Sequence, residues 1–310
     1  MKYPPGAIIP INSTEQEHLA ELLLTYGAGP NAVTASSVTP LDKANLPGLV
    51  DVLCRYGAKV KGESDKGRTP LQTMIKEFGS SGGVKTEVLV KLITNGADLN
   101  AKDDDGGTAL HYALPRMASL GSPFFEALIN GGVDLNKKNN SGQAAIHLIT
   151  AFDKNTLTRL IKAGLDIDSR DNCGRSILLN KWKDSEQLAG CLDLGCSLAA
   201  RDNDGYSILH YAVFEGASSE VIQHLVDAGA DPLAVDLEGN TIIHQYARYI
   251  PEPPLSFFLE LGVPIGQKNC CVSIQFSQYA CLTCIEYQSR IFTCIQSNSR
   301  LVPIQTKAYK

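Results

Sequence analysis

Apolar residues occur along this chain in short runs with helical spacing, and polar segments that contain glycine separate the runs. The clearest run comprises Val221, Ile222, Leu225 and Val226. These positions form one stripe along a helix. Gly229 follows the run, which is typical of a helix that ends in a left-handed residue. The pattern predicts a series of short amphipathic helices, each closed by a glycine.

A shorter predicted helix precedes this one, and a polar turn precedes both. The turn 202–205 (Asp-Asn-Asp-Gly) leads to Ser207, which is suited to cap a helix that begins at Ile208. Gly216 would end that helix, and the apolar run above would form the next one. We therefore expect a unit made of a turn, a first helix and a second helix.

This unit repeats with a period of about 33 residues. The glycines that would close the second helices are Gly27, Gly57, Gly96, Gly132, Gly164, Gly195, Gly229 and Gly262. A pair of short helices cannot bury its apolar face alone. The units must therefore stack side by side and share one elongated core.

The repeated motif resembles the ankyrin repeat. Residues 94–100 (Thr-Asn-Gly-Ala-Asp-Leu-Asn) lead to 108–111 (Thr-Ala-Leu-His), and 227–231 (Asp-Ala-Gly-Ala-Asp) lead to 241–244 (Thr-Ile-Ile-His). The resemblance covers residues 14–269 and identifies no particular protein. It implies an all-α ankyrin-repeat solenoid of helix-turn-helix units, with β-hairpin or turn fingers between them.

The first helices are expected to begin at a serine or threonine, as helix caps commonly do. These residues are Thr39, Thr69, Thr108, Ser176, Ser207 and Thr241. Ala144 takes the same position without a hydroxyl group. Two further departures stand out: Pro115 should shorten its first helix, and Lys181 and Trp182 replace the small residues that ankyrin repeats usually carry there.

The regularity of the motif divides the chain into three parts. Residues 1–39 hold a degenerate N-terminal repeat, residues 40–269 hold the array of about six units, and residues 270–310 form a cysteine-rich, poorly ordered tail without glycine or aspartate. Three interpretations of the tail compete. It could bind zinc through cysteine thiolates, it could be a small module that recruits a partner, or it could be a segment foreign to the fold, such as read-through past a coding boundary, which we favour. The thiolates would come from Cys270, Cys271, Cys281 and Cys284.

Side chains that could carry chemistry are better explained by the repeat. Residues 79–86 lack the glycine that precedes the lysine of a phosphate-binding loop. The acidic turn 103–106 lacks the terminal carboxylates of a calcium loop. Histidines recur at one phase of the repeat, where stacking would hold them apart, so hydrogen bonding within the turns is favoured over metal binding. We expect no cofactor, no metal and no enzymatic activity. The recurring histidines are His111, His147, His210 and His244.

Composition narrows the class of partner. The net charge of −5 argues against nucleic acid or an anionic membrane as the main partner. No apolar run approaches the ~18 residues of a membrane span, and the apolar stretch near the N-terminus is too short and proline-rich for a secretory signal. The cysteines of the repeats do not recur in phase, as a disulfide framework would require. We expect an intracellular monomer, cytoplasmic or nuclear, with one or more protein partners.

The resemblance implies a non-catalytic scaffold that binds a protein partner through the concave surface made by the finger tips and first helices. Trp182 has a second interpretation of equal weight, as an oversized core residue. The alternative for the chain is an ankyrin portion of a larger regulator or adaptor, for example one that recruits substrates to a ubiquitin ligase, with the effector part outside this chain. Carried over by phase, the candidate partner-binding residues are Arg68, Asp105, Arg116, Phe152, Arg175, Trp182, Tyr206, Phe214, Arg248 and Tyr249.

Overall fold

The computed structural model describes residues 12–35, 37–62, 65–77, 86–116, 120–150, 153–244 and 255–263. The chain divides into two compact units, residues 1–203 and residues 204–310. The tail 270–310 and the candidate residues Phe152, Arg248 and Tyr249 lie outside the described residues.

The first unit is built from short helices in the order that the repeat predicts. Its α-helices are α1 (Ser13–Thr25), α2 (Pro47–Arg55), α3 (Pro70–Glu77), α4 (Thr86–Thr94), α5 (Ala109–Ala113), α6 (Ser122–Asn130), α7 (Lys154–Lys162), α8 (Ile177–Lys181) and α9 (Ser185–Asp193). Short 3₁₀ turns lie at Leu41–Lys43, Asp65–Gly67, Leu114–Arg116 and Ala145–Leu148. Because each helix is brief, most of its stability must come from packing against its neighbours.

These helices form two layers. The second helices α1, α2, α4, α6 and α7 contact one another in that order. The other layer consists of α3, α5 and α8 together with the 3₁₀ turns Leu41–Lys43 and Ala145–Leu148. Phe124 and Phe125 of α6 are buried and meet edge to face, with ring centroids 5.6 Å apart. Paired helices and no sheet among the described residues confirm the predicted fold class.

The first helices differ in the quality of their N-terminal caps. At α5 the Thr108 amide donates to His111 Nδ1 (3.1 Å), and both halves of a capping box are present. Ala144 has no hydroxyl group, and the helix after it is only a 3₁₀ turn. Ser176 lacks a polar partner three residues on, where Leu179 stands, and its buried hydroxyl has no hydrogen bond among the described atoms. The caps are therefore weakest in two successive repeats.

Pro115 has the expected effect on its helix. The α-helical part of α5 ends at Ala113, and the chain continues as the 3₁₀ turn Leu114–Arg116. Proline lacks the amide hydrogen that a continuing α-helix would use. The first helix of this repeat is five residues long, whereas α3 has eight.

The finger tips are joined by a ladder of main-chain hydrogen bonds. Each tip amide donates to a carbonyl oxygen of the preceding finger: Asp104 to Lys66 (3.2 Å), Asn140 to Asp105 (3.0 Å), Asn172 to Ser141 (3.4 Å) and Asn203 to Cys173 (2.9 Å). Among the described residues of the first unit, only one isolated bridge, Lys138 with Ala144, has β geometry. The predicted fingers are therefore turns rather than extended hairpins.

Asparagine side chains reinforce the stack at a second level. Asn31, Asn100 and Asn136 each follow a helix-closing glycine by four residues. The side-chain amide of Asn100 donates to the Gly132 carbonyl (3.1 Å), and its oxygen accepts from the Asp134 amide (2.7 Å). Asn31 and Asn136 make the same pair of bonds to the next repeat. Each asparagine therefore fixes the spacing between consecutive repeats.

The second unit repeats the same construction. It contains α10 (Ile208–Phe214), α11 (Ser219–Asp227) and α12 (Leu255–Glu260), and α10 packs on α11. Its core includes Leu209, Ile222 and Leu225, all fully buried. The Leu237 amide donates to the Asp204 carbonyl (2.9 Å), which continues the finger pattern within this unit.

Candidate binding surfaces

Four side chains of the first unit gather at the ends of its first helices, and we call them the basic patch. Arg68 precedes α3, Lys76 lies in the last turn of α3, Tyr112 belongs to α5, and Arg116 ends the 3₁₀ turn after α5. The repeat brings them together because α3 packs directly on α5. The phase of the repeat predicts Arg68 and Arg116 as binding residues and places Lys76 on the same groove, whereas it does not single out Tyr112.

The ring of Tyr112 is the centre of the basic patch. The Arg68 guanidinium carbon lies 5.7 Å from the ring centroid and the Lys76 ammonium lies 5.9 Å from it. Both distances allow cation–π attraction. Arg68 Nε also lies 3.3 Å from the Tyr112 hydroxyl oxygen. Two cations are therefore held against one aromatic ring.

A single buried carboxylate, that of Asp103, lies behind the ring. It accepts from the Tyr112 hydroxyl and lies 3.4 Å from Arg68 Nε. Its other oxygen accepts from the amides of Asp105 (3.1 Å) and Gly107 (2.7 Å), which fixes the finger. Burial raises the pKa of Tyr112, and the hydrogen bond to Asp103 raises it further. Tyr112 therefore stays neutral and does not offset the charge of the cations.

Arg116 connects two successive first helices. Its guanidinium donates to the carbonyl oxygens of Tyr112 (3.2 Å) and Lys76 (3.0 Å). These carbonyls lie at the carboxyl ends of short helices, where cations are favoured. These two bonds hold the Arg116 guanidinium beside the main chain of Lys76. Among the described residues, no carboxylate forms an ion pair with it.

The other candidate binding residues of the first unit differ in how far their side chains are exposed to a partner. Asp105 is exposed at a finger tip. Arg175 is half-buried and holds the Asp171 carboxylate through Nε (3.1 Å) and Nη2 (3.0 Å). Trp182 is only 6% exposed. Its burial supports the interpretation as a core residue over the interpretation as an interface anchor.

The second unit carries a group of aromatic side chains, and we call Tyr206, Tyr211 and Phe214 the aromatic patch. Tyr206 precedes α10, whereas Tyr211 and Phe214 lie on it. The rings of Tyr206 and Tyr211 meet edge to face with centroids 6.2 Å apart. Phe214 is 49% exposed. Aromatic residues of this kind are common anchors of protein interfaces.

The recurring histidines have a structural role. His111 Nδ1 accepts from the Thr108 amide, so its hydrogen lies on Nε2, which donates to the Gln143 carbonyl of the next finger (2.9 Å). His210 makes the equivalent bonds to Ser207 and to the Asn240 carbonyl. His147 differs, because Ala144 offers no hydroxyl and Nδ1 faces its carbonyl oxygen (3.1 Å). The prediction of hydrogen bonding within the turns is confirmed for all four recurring histidines, since His147 Nε2 also bonds the Arg175 carbonyl (3.0 Å) and His244 Nδ1 accepts from the Thr241 amide (3.1 Å).

We expect His111 to make folding sensitive to acid. Burial lowers its pKa below the ordinary value of 6.5. The unfolded chain then binds the proton first, so the stability due to neutral His111 is complete above pH 6.5 and is lost as the pH falls through the folded pKa. Gln72 occupies the same position in α3, where its Oε1 accepts from the Thr69 amide (2.8 Å) without titrating. His111→Gln should therefore weaken the pH dependence.

The measurement is the free energy of unfolding in urea at pH values of about 7.5, 6.5 and 5.5. The parent chain should lose more stability between the first and last pH than His111→Gln does. Equal losses would show that the pKa of His111 is the same in the folded and the unfolded chain. A large loss at the highest pH would show instead that glutamine cannot make the Gln72-like bonds here.

No helix within the described ranges is long and apolar enough to cross a bilayer.

Comparisons with known proteins agree with this architecture. A family model described as ankyrin repeats in three copies matches residues 80–171, and a model described as an ankyrin repeat matches residues 204–237. Among solved structures, the chain is similar to the crystal structure of the ankyrin repeat domain of Bcl-3, described as a unique member of the IkappaB protein family. The two share 26% sequence identity with a TM-score of 0.56. The match covers 68% of this chain and 94% of that one.

Proposed function

The chain is an ankyrin repeat protein, and on that basis we propose that it binds a protein partner, without catalysis, through its finger tips and first helices. Ankyrin repeats are commonly protein-binding modules. The observation that supports this proposal most directly is the placement of large aromatic and cationic side chains on the first-helix side. Phe214 is half exposed on α10, and Lys76 is exposed at the end of α3.

The core arrangement favours a binding role over a catalytic one. Several buried polar side chains, such as Asp103, His111 and His210, are engaged in capping bonds or in bonds between fingers. Residues committed in this way hold the scaffold and leave the exposed side chains to provide contacts. Interface affinity commonly depends on a few aromatic and arginine anchors.

The proposal is tested by a double substitution in the aromatic patch, Tyr206→Ala with Phe214→Ala. Removing the two aromatic anchors should weaken partner capture by at least about 30-fold, since a single such residue commonly contributes about 2 kcal/mol or more at an interface. The free energy of unfolding should fall by less than about 2 kcal/mol, because Phe214 is half exposed and Tyr206 is only half-buried. Affinity purification followed by quantitative mass spectrometry measures the capture, and urea unfolding measures the stability.

A matched control removes two exposed apolar side chains from the second-helix layer. Leu22 and Leu23 of α1 are 47% and 54% exposed, so Leu22→Ala with Leu23→Ala deletes a similar exposed apolar surface. This control should retain the partners that the parent chain captures. Undiminished capture by the aromatic variant, or an equal loss in both variants, would contradict binding through the first-helix side.

A further inference from the structure

The first unit contains a local excess of positive charge on its first-helix side. The chain as a whole carries a net charge of −5. The last turns of the first helices and their 3₁₀ turns in this unit nevertheless carry cations, namely Lys43, Lys76, Arg116 and Lys181. Their only acids among the described residues are Asp42, which is buried and accepts from Thr39, and Glu77, which pairs with Lys43 at 3.0 Å. Both of these carboxylates are therefore already engaged.

The excess is concentrated at the basic patch. Arg68 lies 5.7 Å and Lys76 lies 5.9 Å from the Tyr112 centroid, so their charges are at most about 12 Å apart, a distance comparable with the Debye length of ~10 Å at about 0.1 M salt. Arg116 reaches the main chain of Lys76. Among the ion pairs of the described residues, Asp103 pairs with Arg68, and none involves Lys76 or Arg116.

The cations of the basic patch repel one another because they are held close together. A bound anion would reduce this repulsion. The ring of Tyr112 and the carbonyls of the helix ends already position the cations, so little side-chain entropy would be lost on binding. Guanidinium and ammonium groups both pair well with carboxylates. The basic patch therefore has the cationic groups that a site for carboxylate side chains requires, and these groups are already held in place before binding.

We propose that the basic patch binds an acidic segment, rich in Asp or Glu, of the protein partner. This inference rests on the proposed function and specifies the chemistry of the partner. The neighbouring finger tip favours a peptide over a nucleic acid. Asp104 and Asp105 are exposed there, and they would repel a polymer that carries a phosphate every ~3.4 Å per strand. A peptide can place single carboxylates at the cations and uncharged residues beside the tip.

The test is the binding of a labelled acidic peptide to the full chain. The probe is fluorescein-Gly-Glu-Glu-Ser-Glu-Glu-Gly, followed by fluorescence anisotropy, with a reference peptide in which glutamine replaces every glutamate. The parent chain should bind the acidic probe at least about 10-fold more tightly than the reference, and the affinity should fall as NaCl is raised. Equal binding of the two peptides would overturn the inference.

Substitutions locate the binding on the molecule. Lys76→Gln should weaken binding of the acidic probe by about 5-fold, and Lys76→Glu by about 20-fold, because the first removes a charge and the second also adds a repulsive one. Lys162→Glu is the matched control, since it makes the same change in net charge at the exposed end of α7 in the second-helix layer. Unfolding curves confirm that all three variants fold. An equal effect of Lys162→Glu and Lys76→Glu would show that net charge alone governs binding and would overturn the inference.

A single-stranded RNA of twelve uridines provides the competing ligand. Tighter binding of this RNA than of the acidic probe, with the same sensitivity to Lys76→Glu, would assign the patch to nucleic acid and overturn the inference. The proposed function is tested independently of this inference. If the Tyr206 and Phe214 double variant loses partner capture while the acidic probe does not bind the parent chain, the proposed function stands and only the inference on the acidic segment is wrong.

Discussion

Replacement of Phe124 by alanine is expected to lower the free energy of unfolding by about 3–5 kcal/mol. The Phe124 ring is completely buried and meets Phe125 edge to face. It belongs to α6, which packs between α4 and α7 in the second-helix layer. Loss of the ring removes apolar contacts and leaves a cavity. The close-packed helices around it can relax only partially to fill that cavity. In a stacked array, this defect also weakens the interfaces on both sides.

The same chemical deletion at the surface is the control for this prediction. Phe214 is 49% exposed, so Phe214→Ala should cost less than about 1 kcal/mol. Urea unfolding followed by circular dichroism gives both values. Similar losses in the two variants would contradict the burial of Phe124 in a packed core. A loss in Phe124→Ala confined to the slope of the transition would indicate that the array no longer unfolds cooperatively.

Gly174→Ala is expected to cost about 3 kcal/mol, from two effects that add. Gly174 has a φ of 78°, where a side chain is strained. A Cβ atom at this position would also lie 2.7 Å from the amide nitrogen of Asn203 on the next finger. That finger would have to move, and Asn203 would lose its bonds to the Cys173 carbonyl (2.9 Å) and the Asn172 carbonyl (2.8 Å).

Gly132→Ala separates the two effects. Gly132 has the same φ of 78°, but a Cβ atom there would meet nothing within 4 Å. Its substitution should therefore cost only the conformational strain, about 1–2 kcal/mol. The comparison uses unfolding free energies of both variants under one set of conditions. Equal costs would show that the close approach of neighbouring fingers contributes nothing to stability.

The repeat, the helices and their caps could be predicted from the sequence because their signals are local. The apolar stripe of α11, the glycine that follows it and the cap at Ser207 all lie within one repeat, and the observed helices α10 and α11 match them. The shortening of α5 before Pro115 was predicted for the same reason, since proline acts on its own helix. The family follows from the same motifs, and the comparisons confirm it.

The weak caps illustrate the limit of local reasoning. The sequence shows that Ala144 lacks a hydroxyl group, but only the structure shows that the following helix is a 3₁₀ turn and that His147 Nδ1 faces the Ala144 carbonyl. Ser176 has the expected hydroxyl, yet it stays unsatisfied within the described structure, because its partner position holds Leu179. The absence of a polar residue three positions after Ser176 can be seen in the sequence. That the Ser176 hydroxyl consequently lacks a hydrogen bond among the described residues could be seen only in the structure.

The sequence by itself determined the repeat, the helix pairs and the phases at which binding residues are expected. Tertiary structure alone decided which of those residues are available. It placed Trp182 in the core and joined Arg68 to Asp103 and Tyr112 of the next repeat. Phase fixes the direction of a side chain within its own repeat, whereas burial and pairing depend on the neighbouring repeat, whose residues lie tens of positions away along the chain.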